Sequence, residues 1–308
     1  MRVAVTGATG YVGRAVCRAL SRRGAYVAGL TRGEGGVPTV DRWVPGDLGN
    51  EPSLSRLLEG ADVVVHAAGL VRSSDVAALT RTNVKGTEAI VRAAAAVRVP
   101  RVVHLSTAGV HGRPGVAVDE TAPLRPANAY ERSKALAEGI VTALPEGTWA
   151  IVRPTDVIGV GHPLDPLVRF LRSVERSRLW ASARAWTNYV AVDDVAALVA
   201  EVALVDGGPE VILANDPLPL PELVRAAGAV LGADIAWHEL PRPLTAALGP
   251  RAGGLAVRSP RVGRLAALFD ETRFVTRHDS WLIDHDLAPS VVSTLSAMVE
   301  DYRQRDLL

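Results

Sequence analysis

Cysteine, lysine and long apolar runs are nearly missing from this sequence of 308 residues. Cys17 is its one cysteine, so no intrachain disulfide can form. Its place among apolar residues at helical spacing predicts a packed side chain in a reducing, cytoplasmic setting. No Cys/His cluster has the spacing of zinc ligands, so no metal is expected. No apolar run approaches the ~18 residues of a membrane span. The N-terminus enters an apolar strand at once, so no secretion signal is expected. Charge of one sign is not in excess: 34 basic residues face 33 acidic ones, a net charge of +1. That balance leaves no electrostatic footprint for nucleic acid. Internal repeats and low-complexity tracts are also absent. Lysine occurs only as Lys85 and Lys134, with arginine everywhere else. The two cations do different chemistry, so a lysine kept in such a chain marks a position to inspect.

What is present is a chain with 48% apolar residues, enough for a substantial core. Its length suits one α/β unit or a core with a smaller lobe. Met1 to Thr6 read as a short buried strand. Gly7-Ala8-Thr9-Gly10-Tyr11-Val12-Gly13 follows directly, and Arg14 to Arg23 carry Val16, Ala19 and Leu20 on one helical face. Strand, glycine-rich turn and helix in that order predict a dinucleotide site. Gly7 permits the tight turn, Gly10 lets the backbone approach a pyrophosphate, and Gly13 lets the helix lie close on the strand. The helix N-terminus supplies N–H donors to the phosphates.

Further strands are predicted at Tyr26 to Leu30, Val40 to Val44, Asp62 to His66, Arg101 to Leu105 and Trp149 to Val152, with a last one at Glu210 to Ala214. Helices are predicted at Glu51 to Leu58, Asp75 to Val97, Asn128 to Leu144 and Val190 to Leu204. This alternation implies an α/β fold, a doubly wound parallel sheet covered on both faces. Beyond Arg153, Pro154, Pro163 and Pro166 break the rhythm. The expected organisation is a Rossmann domain of 1–154 plus about 188–214, and a smaller, discontinuous C-terminal substrate lobe of about 155–187 plus 215–308.

Several short motifs sit at strand and helix ends. They are Gly46-Asp47-Leu48, Ala67-Ala68-Gly69, Asn83-Val84-Lys85-Gly86-Thr87, Ser106-Thr107 and Tyr130-Glu131-Arg132-Ser133-Lys134. With the opening glycine spacing and Thr6 before it, they resemble the extended short-chain dehydrogenase/reductase family along most of the chain. The resemblance implies NAD(P) as cofactor. It places Thr9, Tyr11 and Val12 in the phosphate turn, Asp47 and Leu48 near the adenine, and Ser106 beside the cofactor. Asn83 would hold the active-site backbone, and Pro154 would lie in the turn entering the substrate lobe. The small side chains of Ala67, Ala68 and Gly69 let backbone run along the cofactor. His66 ends a strand between packed layers and reads as structural.

Tyr130 and Lys134 are four apart on a helix and reach the same face. A nearby ammonium would favour the tyrosinate and lower the phenol pKa, making Tyr130 a general acid/base. Lys134 would also bond the nicotinamide ribose. Thr107 ends the adjacent strand, where its hydroxyl would stabilise a developing alkoxide. Thr107, Tyr130 and Lys134 are thus the candidate catalytic residues. Relatives that dehydrate sugar nucleotides carry an acidic pair after the Ser/Thr, whereas Ala108 and Gly109 stand here and cannot move a proton.

Cofactor preference is read at the end of the second strand, where Arg32 would pair with a 2′-phosphate and favour NADP(H). Glu34 nearby keeps NAD(H) open. Arg153-Pro154-Thr155-Asp156-Val157-Ile158-Gly159 and Thr187-Asn188-Tyr189-Val190 resemble the family's segments around the substrate. Thr155, Val157 and Thr187 are therefore substrate candidates. His111 is one too, with packing as its alternative. Thr187 stands where nucleotide-sugar epimerases usually place a diphosphate-binding arginine, and the Thr-Asn-Tyr-Val form resembles hydroxysteroid-dehydrogenase and dihydroflavonol-reductase branches. Trp180, Trp186 and Trp237 would line an apolar pocket or pack in the core. Arg242, Arg251, Arg258, Arg261 and Arg264 form a basic set, either solvated or a nucleotide grip. The expected activity is reduction of a ketone, or oxidation of a secondary alcohol, on a small, fairly apolar metabolite. The alternatives are a nucleotide-sugar epimerase with tightly bound NAD and a non-catalytic NADP-binding regulator. No nucleic acid or membrane partner is expected. Alanine-rich helices leave a homodimer open.

Overall fold

The computed structural model describes residues 1–33, 36–71, 73–163, 167–177, 179–182, 185–239, 270–287 and 290–308. Glu34 and the arginine set Arg242, Arg251, Arg258, Arg261 and Arg264 lie outside the described residues. Seven strands form the central sheet: β1 (Arg2–Thr6), β2 (Tyr26–Thr31), β3 (Arg42–Pro45), β4 (Val63–His66), β5 (Arg101–Leu105), β7 (Trp149–Pro154) and β11 (Val211–Ala214). Their spatial order is β11-β7-β5-β4-β1-β2-β3, and every neighbouring pair is parallel. Such strands are buried on both faces, which is why β4 reads as three valines in succession. Alternation along each strand still divides the core. Val3, Val5, Val63 and Val65 pack with α1 (Tyr11–Arg22) and α7 (Val192–Leu204) on one face. Ala4 and Val64 pack with α2 (Glu51–Leu58) and α4 (Gly86–Ala96) on the other. Cys17 is buried in the first of these clusters.

Three small sheets lie outside the main one. β10 (Trp186–Ala191) runs parallel to β8 (Asp156–Ile158) and antiparallel to β12 (Asp216–Pro219). β9 (Leu179–Ser182) pairs with β13 (Ala236–Glu239), and β6 (Ala117–Val118) with β14 (Arg273–Phe274). A separate apolar cluster joins α6 (Val168–Arg176), α8 (Leu220–Leu231) and the helix Val291–Gln304 through Leu171, Leu223, Leu295, Met298 and Tyr302. Among the described residues no helix is long and apolar enough to cross a membrane. Nor does any group of three His, Cys, Asp or Glu side chains there have a metal-binding arrangement.

Several element bounds differ from the sequence-based expectation. The third strand runs from Arg42 to Pro45, and Asp41 before it bonds Val27 of β2, its carboxylate accepting at 2.7 Å and its amide donating at 2.9 Å. The helix expected over 75–97 is broken by a π-helical turn, Thr80–Lys85, between α3 (Val76–Leu79) and α4. The helix expected from 190 begins at Val192, because Val190 and Ala191 pair with Val157 and Ile158 in β8 and β10.

One buried ion pair ties β7 to α5 (Ala129–Val141). Arg153 donates from Nε to Glu138 Oε1 at 3.0 Å and from a terminal nitrogen to Oε2 at 2.7 Å. The side chains are only 7% and 3% exposed. The two-point geometry offsets the desolvation of both charges. Arg153→Met alone would strand a carboxylate and is expected to cost about 3–5 kcal/mol in urea denaturation. Adding Glu138→Leu removes the stranded charge, and the double variant is expected to recover most of that loss.

Candidate active site

Parallel pairing brings the C-terminal ends of β1, β4, β5 and β7 to one edge, with Thr6 beside His66 and His66 beside His104. Strand order reverses between β1 and β4, the place where open α/β sheets bind ligands. The glycine turn spans this point. Gly7 has φ +72°, and a Cβ there would lie 2.6 Å from the Ala68 amide nitrogen. A Cβ at Gly13 would run into the Gly7 carbonyl. Gly10 caps α1 with no side-chain hydrogen bond, and the first turn holds no acidic residue. Thr9 and Gly10 are exposed, and Tyr11 and Val12 half-buried. A turn held open by absent side chains, at a helix N-terminus free of carboxylates, fits a dinucleotide pyrophosphate. The Thr6 hydroxyl accepts from the Ala68 amide at 3.3 Å, holding Ala67, Ala68 and Gly69 against this turn.

Other expected cofactor residues surround it. Arg32 follows β2, is exposed, and pairs with no described carboxylate. Asp47 accepts from the Gly49 amide at 2.8 Å, and Leu48 packs so closely on α4 that a Cβ at Gly86 would lie 2.6 Å from it. Asn83 sits in the π-helical turn, a distortion that recurs at functional sites. Its amide donates to the Leu70 carbonyl at 2.9 Å and to Ser133 Oγ at 2.8 Å, and accepts from the Leu70 amide at 2.8 Å. Ser133 in turn donates to the Tyr130 carbonyl at 2.6 Å. Asn83 thus joins the loop after β4 to the start of α5. His66 is buried between the hydroxyls of Thr6 and Thr87, at 2.7 and 3.1 Å.

The Thr107 hydroxyl lies near the Tyr130 phenol, close enough to act on its pKa. Thr107 caps a short 3-10 turn, Ala108–His111, and accepts from the Gly109 amide at 3.2 Å. Asn128 and Glu131 form a capping box at the start of α5, which fixes the turn bearing Tyr130. Burial pushes the Tyr130 phenol up to about 12, with the Glu131 and Asp156 carboxylates acting the same way and the Thr107 hydroxyl opposing them. This reverses the expected lowering by Lys134. The Lys134 ammonium is buried one turn on, where it donates to the Leu105 carbonyl at 2.6 Å and meets His104 Nε2 at 3.1 Å. Its charge is spent on β5 rather than on the phenol. Burial also draws the Lys134 pKa down to about 8, against the pull of Glu138.

Thr107 and Tyr130 open onto a cavity of about 770 Å³, also lined by Arg113, Thr155, Asp156 and Phe274. Other expected residues lie elsewhere. Ser106 turns inward, its hydroxyl donating to Glu138. His111 is buried with Nε2 3.0 Å from Arg153, so the packing alternative describes it. Val157 packs in the main core, and Thr187 donates to the Leu218 carbonyl at 3.0 Å within the β10–β12 pair. Pro154 ends β7 and is buried. The three tryptophans also lie off the cavity: Trp180 packs on Phe170, Trp186 lies under Arg273, and Trp237 packs beside Leu220 and Val224. Arg113, Asp156 and Phe274 were not expected. Arg113 bonds Asp270 at 2.7 Å and Asp156 at 3.4 Å, and Phe274 is positioned by Asn188, which accepts from its amide at 3.0 Å. Asp156 and Asn188 lay in segments with a sequence signal, whereas Arg113 and Phe274 did not.

Residues 3–212 match the model of the NAD dependent epimerase/dehydratase family. A curated relative, the 4-hydroxy-2-methyl-3-oxo-4-farnesyl-3,4-dihydroquinoline-1-oxide ketoreductase of Stigmatella aurantiaca, is 36% identical over 171 residues, 52% of this chain and 51% of that protein. The chain thus spans about half the length of that relative. The 2-alkyl-3-oxoalkanoate reductase of Stenotrophomonas maltophilia is 32% identical over 255 residues, 76% of each chain. The solved UDP-glucuronic acid 4-epimerase of Bacillus cereus in complex with NAD is 18% identical, with a TM-score of 0.70 over 99% of both chains. That likeness is one of fold. With the matched segment holding the glycine turn, Thr107, Tyr130 and Lys134, the chain belongs to the NAD dependent epimerase/dehydratase family, the extended short-chain dehydrogenase/reductases that its motifs resemble.

Proposed function

We propose that the protein is an NADP(H)-dependent oxidoreductase that reduces a ketone, or oxidises the matching secondary alcohol, of a small, fairly apolar metabolite. The observation that carries this reading is the hydroxyl pair of Thr107 and Tyr130 on the wall of a cavity large enough for such a molecule. Gly7, Gly10 and Gly13 would admit the cofactor's pyrophosphate, and Arg32 its 2′-phosphate. A bound nicotinamide would supply the hydride for the carbonyl carbon, or accept it in reverse. Thr107 would polarise the carbonyl oxygen, and Tyr130 would give that oxygen its proton. Lys134 would orient the nicotinamide ribose. The reductases of Stigmatella and Stenotrophomonas support the same reading by similarity.

The cavity's charge speaks against a nucleotide-sugar substrate. Arg113 is the one cationic side chain lining it among the described residues, and two aspartates already hold it. Glu131 and Asp156 add negative charge beside the phenol. Among the described residues a diphosphate would meet carboxylates without a free cation to bind it. UDP-glucose should therefore leave the melting temperature unchanged, while purified protein reduces apolar ketones with NADPH. Strong stabilisation by UDP-glucose, with tightly bound NAD, would transfer the reading to an epimerase.

Tyr130→Phe is expected to lower turnover about 10²- to 10⁴-fold while NADPH binding, followed by fluorescence, is retained. Unchanged turnover would remove Tyr130 from the mechanism. Arg32→Ala is expected to weaken NADPH about tenfold and leave NADH nearly unaffected, measured as the ratio of their KM values. The raised phenol also sets the sign of the pH dependence. Reduction needs the protonated phenol, which persists through neutral pH, so its rate should stay level there. Oxidation needs the phenolate and should climb as pH rises. The two profiles, measured with one ketone–alcohol pair, check this directly.

A further inference from the structure

Behind the catalytic face lies a buried polar group that the proposed reaction does not use. His104 is fully buried in β5, with Nε2 3.1 Å from Lys134 Nζ and Nδ1 without a hydrogen-bond partner. Its ring lies 5.3 Å from that of His66, which ends β4 and bonds Thr6 just before the glycine turn. An ammonium is a donor only. When Lys134 is charged, His104 Nε2 must therefore be the acceptor and Nδ1 must carry the ring proton. That leaves a buried N–H unpaired, a defect with the desolvation cost of an unmade hydrogen bond. An apolar side chain would fill the position without that cost, so packing alone does not account for the histidine.

We propose that His104 is a positioning residue for Lys134: Nε2 and the Leu105 carbonyl take two of the three ammonium protons and leave one N–H to be directed at a ligand. Both acceptors belong to β5, the strand that also delivers Thr107. One strand therefore sets the position of both the lysine head and the threonine hydroxyl. The ionisable groups around the ammonium are few. His104 faces it from β5, with His66 of β4 behind. Tyr130 and Glu138 lie one turn to either side on α5, Glu138 being held by Arg153 of β7. Burial, and after it the charge of Lys134, keeps both imidazoles from protonating: His66 is held at about 3 and His104 well below its ordinary value. A neutral imidazole is what an ammonium needs as acceptor. Without it, a buried charge loses one of two partners, and its neutral form gains.

The consequence for turnover rests on reading Lys134 as part of the reductive site, but the direct measurement does not. The chain has two lysines, Lys134 and the exposed Lys85, so labelling lysine Cε with carbon-13 gives two NMR signals that one variant, Lys85→Arg, assigns. Titrating the intact protein then follows Lys134 alone. His104→Leu is expected to lower the Lys134 midpoint by roughly one pH unit. His104→Gln, whose amide oxygen reaches the place of Nε2, is expected to restore it. Circular dichroism and melting curves establish that both variants are folded. A Lys134 midpoint unmoved in folded His104→Leu would overturn the proposal, as would an equal fall in both variants, which would reduce His104 to packing. Absence of ketone turnover in the wild type would count against the reductase reading alone, since the titration needs no substrate.

Discussion

Helix α5 is held against strand β5 by two buried charges of opposite sign, and the site depends on that attachment. Lys134 bonds the Leu105 carbonyl, and Glu138 takes the Ser106 hydroxyl while gripping Arg153 of β7. The two residues are one helical turn apart, so together they fix both the rotation and the height of the helix over the sheet. Tyr130, one turn before Lys134, then arrives beside Thr107. Apolar packing alone would allow a helix to slide or rotate at modest cost, because dispersion contacts are individually weak and non-directional. Directional bonds to the strand's own backbone do not permit that freedom. The meeting of the two hydroxyls is in this sense a consequence of charges that never touch the cavity.

The same arrangement explains which parts of the molecule were legible in sequence. The parallel sheet was, because buried strands between helices leave runs such as Val63-Val64-Val65 that read without tertiary information. The glycine turn was legible for a related reason: its three spacings are demanded by local backbone sterics. Tyr130 and Lys134 were placed on one face by helical period alone. What that period could not supply was the direction of the lysine's bond. Sequence spacing suggested a lysine acting on the phenol, whereas the folded chain turns the ammonium toward β5, and burial lifts the phenol instead. The π-helical turn was hidden too, since its cause is a tertiary demand: Asn83 must reach both Leu70 and Ser133. His111 and Thr187 stood at suggestive positions in their motifs, yet buried arginine and strand pairing claimed them. Phe274 comes from the far end of the chain, past the family's matched segment, and no local pattern ties it to Tyr130.

Charge around the cavity brings these threads together. Arg113 is pinned by Asp156, 43 residues on, and by Asp270, 157 residues on. The neighbouring segment is fastened by Asn188, which donates to the Thr272 carbonyl, and by Asn215, which donates to that of Phe274. The far wall of the cavity is therefore a hydrogen-bonded strap, and the one cation lining it among the described residues is neutralised within it. The near wall holds Tyr130 with Glu131 beside it. Burial keeps the phenol protonated, and the carboxylates on both walls add to that while opposing an incoming anion. On the reductase reading proposed above, a substrate there would be selected by shape and a single carbonyl, since the one lining cation among the described residues is already paired. Fold and cavity polarity thus bear on different levels of function: the first on the chemistry common to the family, the second on which compound can enter.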